Sequence, residues 1–259
     1  MGVKVKCELV KREKLIEGIY KFSVKAPEIT KEAKAGQFLE IKVSETGEPY
    51  LRRPISIFNI DGDIVEFIFQ VKGRGTELLA QVQEGKLIDI MGPLGKGTFK
   101  VKEYNNVAII GGGIGTYPLY ELTKELKGKA NLNVYLGFRD KSLVTCEKEF
   151  EEIGLNKLVV TTDDGSYKEK GFAIDFMKKD IEEHKVDMIF ACGPLPMLKA
   201  VRSYAIENNI PCQISLEERM GCGIGACLGC AVKVRTGEDT KYGHVCKDGP
   251  VFNASDVEI

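Results

Sequence analysis

The chain has 259 residues, a formal net charge of −1, and 43% apolar and 29% charged residues. That length accommodates more than one domain and a substantial core. The near-neutral charge excludes the basic footprint of a nucleic-acid or anionic-membrane binder.

No apolar run reaches the ~18 residues of a membrane span. The start, MGVKVKCELVKREKL, lacks the apolar core of a signal peptide, and Lys6 stands where a myristoylation motif wants Ser or Thr. Cytoplasm, where thiols stay reduced, is the expected location, so the eight cysteines are not read as a disulfide scaffold.

Residues 1–100 read as β structure. Apolar alternation or β-rich runs fall at residues 3–10, 18–24, 38–43, 53–59, 64–71 and 87–91. Turn signals separate them at Ala26-Pro27, Thr46-Gly47-Glu48-Pro49, Asp61-Gly62-Asp63 and Gly92-Pro93-Leu94-Gly95. Short strands without long helices predict an antiparallel six-stranded barrel, with one short helix starting at Thr76.

Two pieces of this barrel look chemical. Arg52-Arg53-Pro54-Ile55-Ser56 places guanidinium forks, which grip phosphate, beside a residue of fixed φ and a hydroxyl able to bond a flavin edge. Gln70-Val71-Lys72-Gly73-Arg74-Gly75-Thr76 is a Gly-rich turn feeding a helix start, where free N–H groups and the dipole attract a pyrophosphate. A solvated edge arginine and a plain turn are the competing readings.

Residues 101–214 change period. The apolar run at 107–110 enters Gly111-Gly112-Gly113-Ile114-Gly115-Thr116 and then a helix over residues 118–126. Strand, glycine loop and helix in that order form the dinucleotide-phosphate site of an open α/β sheet, although the glycine spacing departs from G-x-G-x-x-G. Further short strands at 132–136, 157–160 and 186–190, the last entering Cys192-Gly193-Pro194 and a helix over 195–208, predict a doubly wound parallel sheet. Asp163 and Asp164 follow the third strand; carboxylates there would repel a 2′-phosphate and accept from a ribose hydroxyl, which predicts NAD over NADP.

Residues 215–259 hold Cys222, Cys227 and Cys230 in the pattern C-x4-C-x2-C, with Cys246 after fifteen intervening residues. This is the ligand spacing of a plant-type [2Fe–2S] cluster. Interleaved glycines allow the loop to fold back and bring amide N–H groups to the sulfurs. Structural zinc competes, but it usually takes paired C-x2-C units and only Cys227 and Cys230 form one. Unliganded buried cysteines are the remaining alternative.

Gly36-Gln37-Phe38, Arg53-Pro54-Ile55-Ser56, Gly73-Arg74-Gly75-Thr76 and Gly92-Pro93-Leu94-Gly95 together resemble the FAD domain of the ferredoxin–NADP reductase family. That resemblance implies Arg53 on the FAD pyrophosphate and Ser56 near the flavin N5. Ile55 stands where the family has a stacking tyrosine. It also implies that Cys192-Gly193-Pro194 faces the nicotinamide. With Ser215-Leu-Glu-Glu-Arg-Met220 before the cysteine cluster and Lys247-Asp-Gly-Pro-Val-Phe252 after it, the whole chain resembles the electron-transfer subunits of NAD-linked (class 1B) dihydroorotate dehydrogenases.

This implies FAD, [2Fe–2S] and dissociable NAD, and an FMN-bearing catalytic partner that oxidises dihydroorotate, in a heterotetramer of two subunits of each kind. Consistent with it, His184 and His244 have no evident partners in sequence and no base or nucleophile constellation is visible. A diaphorase subunit of a hydrogenase or sulfite reductase, and a zinc-stapled nucleotide-binding regulator, are the alternatives.

Overall fold

The computed structural model describes residues 2–44, 47–237 and 239–259, with the side chain of residue 236 left aside. The chain divides into two compact units. The first comprises residues 1–98, 217–231 and 243–250; the second comprises residues 99–216, 232–242 and 251–259. The expected C-terminal module is thus shared between them, its cysteine-bearing segments lying with the N-terminal strands.

In the first unit, strands β1 (Val3–Ile16), β2 (Ile19–Lys25), β3 (Phe38–Ile41), β4 (Arg53–Asp61), β5 (Ile64–Gln70) and β6 (Leu87–Leu94) close into a barrel of order β1-β2-β5-β4-β3-β6. Every described pairing in it is antiparallel, as the alternation requires. Closure leaves no sheet edge. The interior is aromatic: Phe22 packs edge-on against Phe69 at 5.1 Å and tilted against Phe67 at 5.7 Å. Strand β1 extends six residues past the predicted end at position 10, because its charged outer half still pairs with β2 as far as Ile16. Two short helices, α1 (Pro27–Thr30) and α2 (Arg74–Ala80), complete the barrel, α2 starting two residues before the expected Thr76. Of the expected turn at residues 46–49, Thr46 lies outside the described residues.

The second unit is built on β7 (Asn106–Gly112), β8 (Asn131–Phe138), β9 (Lys157–Thr162), β10 (Glu169–Lys170), β11 (Met188–Cys192) and β12 (Cys212–Ser215), all parallel. A further strand, β15 (Val251–Asn253), adds antiparallel to β12 and makes the sheet mixed, in the order β10-β9-β8-β7-β11-β12-β15. Helix α3 (Pro118–Leu126) packs with α4 (Glu147–Ile153), and α5 (Ala173–Glu183) packs with α6 (Leu195–Glu207), so both faces are covered. Strands β13 (Ala231–Thr236), β14 (Asp239–His244) and β16 (Val257–Glu258) form a small separate sheet in the order β14-β13-β16. Among the described residues, no helix is long and apolar enough to cross a membrane.

Candidate functional site: a cysteine loop, a phosphate cradle and a dinucleotide crevice

The four cysteines of the predicted cluster converge in the first unit. The N–H groups of Ala226 and Cys227 donate to Cys222 Sγ at 3.2 and 3.3 Å. That of Gly225 donates to Cys246 Sγ at 3.1 Å, and that of Cys246 to Cys230 Sγ at 3.4 Å. Cys230 and Cys246 sulfurs lie 3.2 Å apart and are buried, while Cys227 is exposed. Burial alone would push the Cys222 thiol up, but the amides of Cys227, Ile224 and Ala226 outweigh it and hold the thiol down to about 6. Cys246 is pushed up to about 12, first by burial and then by Cys230 beside it.

A loop that turns its backbone N–H groups onto thiolate sulfur suits anionic sulfur ligands. Among the described residues, no group of three or more His, Cys, Asp or Glu side chains is gathered as for a single ion. Ile224 and Leu228, on the same loop, are 56% and 59% exposed.

The two barrel segments expected to grip a pyrophosphate are also brought together. The turn before α2 is closed by Thr76 Oγ1, which accepts from the Lys72 N–H at 2.9 Å and donates to the Gly73 carbonyl at 2.9 Å. The Arg53 guanidinium lies against this turn: a Cβ on Gly75 would sit 2.4 Å from Arg53 Nε, so the guanidinium packs directly on the glycine. Gln70 ends β5, Val71 is half-buried against the barrel core, and Lys72 is exposed.

Arg52 has a different role from its neighbour. It is turned inward, donating to the Asp89 carboxylate at 2.7 Å and to the carbonyls of Glu40 and Asp89. Pro54 is exposed and Ser56 half-exposed, on the face opposite Ile55. Ile55 itself is 8% exposed and belongs to the barrel core, so its side chain is committed to packing.

In the second unit the two predicted nucleotide segments meet between β7 and β11, where the strand order reverses. A Cβ on Gly115 would lie 2.5 Å from Gly193 Cα and 2.6 Å from the Cys192 carbonyl oxygen, and one on Gly112 would lie 2.8 Å from Pro194 Cδ. Gly111 packs just as closely on Thr116, whose hydroxyl donates to the Gly113 carbonyl at 2.9 Å. The Cys192 side chain is buried, whereas Gly193 is half-buried and Pro194 exposed.

The Asp163 N–H donates to the Phe138 carbonyl at 3.0 Å, tying it to the end of β8. Burial raises its carboxyl, Arg139 pulls it down and Asp164 pushes it up. Asp164 is spent on its own turn, accepting from the Ser166 N–H and hydroxyl.

Two residues escape a sequence reading. Phe172, just before α5, is a large apolar side chain that is 62% exposed. Glu40, on β3, is a buried carboxylate among strand residues of the barrel. The histidines sit apart from these features: His184 ends α5, and His244 Nδ1 lies 3.6 Å from Asp248.

Comparison with known proteins matches all three regions. Residues 6–99 match the oxidoreductase FAD-binding domain, residues 109–203 the oxidoreductase NAD-binding domain, and residues 217–258 the iron–sulfur cluster binding domain of dihydroorotate dehydrogenase B. The chain is 40% identical over 257 residues to the dihydroorotate dehydrogenase B (NAD(+)) electron transfer subunit of Caldanaerobacter subterraneus subsp. tengcongensis, covering 99% of each. It is 41% identical to that of Bacillus pumilus, covering 97% of this chain and 96% of the relative. A solved NADH-dependent reduced ferredoxin–NADP oxidoreductase structure is 31% identical with a TM-score of 0.85, covering 100% of this chain and 91% of that one. The ferredoxin reductase of carbazole 1,9a-dioxygenase shares the fold, with a TM-score of 0.68 at 20% identity over 81% of this chain and 67% of that one.

Proposed function

The chain belongs to the family of dihydroorotate dehydrogenase B (NAD(+)) electron transfer subunits, and on that premise we propose that it conducts electrons from the FMN of a separate catalytic subunit to NAD+. When bound, a [2Fe–2S] cluster relays single electrons, FAD converts between one- and two-electron steps, and NAD+ accepts the hydride. The chain's own residues hold these groups. Cys222, Cys227, Cys230 and Cys246 supply the four sulfurs, with loop amides bearing part of their charge. Arg53, with the turn from Gln70 to Thr76, grips the FAD pyrophosphate, while Ser56 and the main chain at Ile55 line the flavin edge. Gly111, Gly112, Gly113, Gly115 and Thr116 admit the NAD pyrophosphate, and Gly193 and Pro194 the nicotinamide end.

One observation carries the reading. The cysteine loop and the Arg53 cradle belong to a single compact unit, the arrangement short-range electron transfer needs. The exposed Ile224 and Leu228 on that loop suit an apolar seat for the FMN subunit. The assembly would then hold two subunits of each kind.

The test is to purify the chain with its FMN-bearing partner and measure dihydroorotate-dependent NADH formation. Turnover is expected; a complex that holds all its cofactors yet forms no NADH contradicts the assignment. A second reading, the electron-transfer subunit of another multisubunit oxidoreductase, is favoured by the full-length match to the ferredoxin–NADP oxidoreductase structure. Reduced ferredoxin or NADPH, rather than dihydroorotate, would then drive NAD+ reduction.

Asp163 sets the nicotinamide preference in this account, because a fixed carboxylate repels a 2′-phosphate. NADH should exceed NADPH by at least ~10-fold in kcat/KM for dye reduction, about 1.4 kcal/mol, and Asp163→Ser should narrow the gap. Comparable turnover of the two cofactors by the wild type would refute it.

A further inference from the structure

Glu40 is the charged residue of β3, paired across to Pro54 of β4 and Met91 of β6. It is 1% exposed, and among the described residues neither carboxylate oxygen has a hydrogen-bond partner. A buried carboxylate left unpaired is costly and calls for a reason. The adjacent guanidiniums spend their hydrogen bonds on other groups, Arg52 on the Asp89 carboxylate and the carbonyls of Glu40 and Asp89, Arg53 on the carbonyls of Leu51 and Arg52, and act on the carboxyl only through space. What lies over the carboxyl is the cysteine loop. A Cβ on Gly223 would be 2.5 Å from Glu40 Cγ and 2.7 Å from its Oε1, and the left-handed φ of +69° at Gly223 lets the loop settle directly on the acid. Burial pushes the Glu40 carboxyl up to about 7, Arg52 opposes this, and Cys222, which precedes Gly223, pushes it further up.

We propose that Glu40 is a positioning residue that lowers the reduction potential of the iron–sulfur group held through Cys222, by placing an ionised carboxylate under the loop that bears this ligand. The proposal rests on the cluster reading above. One-electron reduction adds a negative charge to the group. In a low-dielectric site a carboxylate close by opposes that addition far more than it would in water. A lowered potential favours passage of the electron onward to the flavin, the direction in which NAD+ is reduced.

The test is an EPR-monitored redox titration of the complex at about pH 8.5, above the value near 7 to which burial pushes Glu40, with iron and acid-labile sulfide assayed in each sample. Glu40→Gln is expected to keep its iron and sulfide and to shift the one-electron equilibrium toward reduction by about tenfold, or ~59 mV. Glu40→Asp, which keeps the charge, should shift less than half as far. Glu40→Met, neutral and of similar length, should repeat the upward shift and stands in if the glutamine variant loads poorly. Equal potentials for wild type and the neutral variants overturn the proposal, as do equal shifts for Asp and Gln. Loss of iron from both neutral variants also overturns it, since Glu40 would then be holding the loop rather than tuning it. A wild-type complex without iron or an EPR signal would instead sink the cluster reading, and the proposal with it.

Discussion

Replacing Cys227 by serine is expected to remove the iron and labile sulfide and to cut dihydroorotate-dependent NADH formation by the complex more than ~100-fold. The magnitude follows from ligand chemistry: losing an outer-shell partner of a metal ligand already costs roughly 10–100-fold, and Cys227 is assigned as a ligand itself. Its sulfur is exposed and approaches Gly221, where a Cβ would stand 3.4 Å away, so serine fits sterically and the loss would be chemical. Reduction of a two-electron dye by NADH should survive in the same variant, because that route runs between the nicotinamide crevice and the flavin cradle. The pair of assays separates a broken relay from a misfolded chain. A Cys227→Ser complex that forms NADH as fast as wild type would show that electrons bypass the loop.

Arg53→Ala should weaken FAD binding by about 10- to 100-fold, the equivalent of one charge-assisted hydrogen-bond set at ~1.5–3 kcal/mol. The guanidinium is held over the turn before α2 by its bonds to the carbonyls of Leu51 and Arg52 and by the missing side chain at Gly75. Lysine cannot reproduce the planar fork, so Arg53→Lys should recover only part of the affinity. Flavin fluorescence titration of the apoprotein reads the dissociation constant. Arg52 is the control. It is half-buried and paired with the buried Asp89, so its loss should lower the unfolding midpoint more than the FAD affinity. An unchanged FAD dissociation constant in Arg53→Ala would remove Arg53 from the cradle.

How much of this was legible in the sequence depends on how local each signal is. The barrel strands were readable because one face is buried and the other wet, which writes a period of two into residues such as Phe67 and Phe69. The buried parallel strands were readable as short apolar runs, two of which lead straight into glycine at Gly111 and Gly137. Strands β12 and β15 were not foreseen, since four and three residues carry no period and the antiparallel edge depends on a partner far along the chain.

The cysteine spacing was the strongest site signal, because a cluster fixes the reach between its ligands. The finer division of labour was hidden. Arg52 and Arg53 are identical in type and adjacent, yet the strand pleat sends one to Asp89 and the other to Gly75. Asp163 and Asp164 part in the same way, one tied to β8 and the other consumed by Ser166. Glu40 could not be read at all: an acidic residue in a strand predicts a wet face, and only the loop folded over Gly223 reveals that the position is dry.

The most direct test of the central claim is elemental analysis of anaerobically prepared complex. Four cysteines holding a binuclear cluster require about two irons and two acid-labile sulfides per chain, with flavin and iron–sulfur absorbance in a yellow-brown solution. A colourless preparation containing zinc, without iron or labile sulfide, would contradict the account and restore the reading of a nucleotide-binding chain stapled by a structural metal.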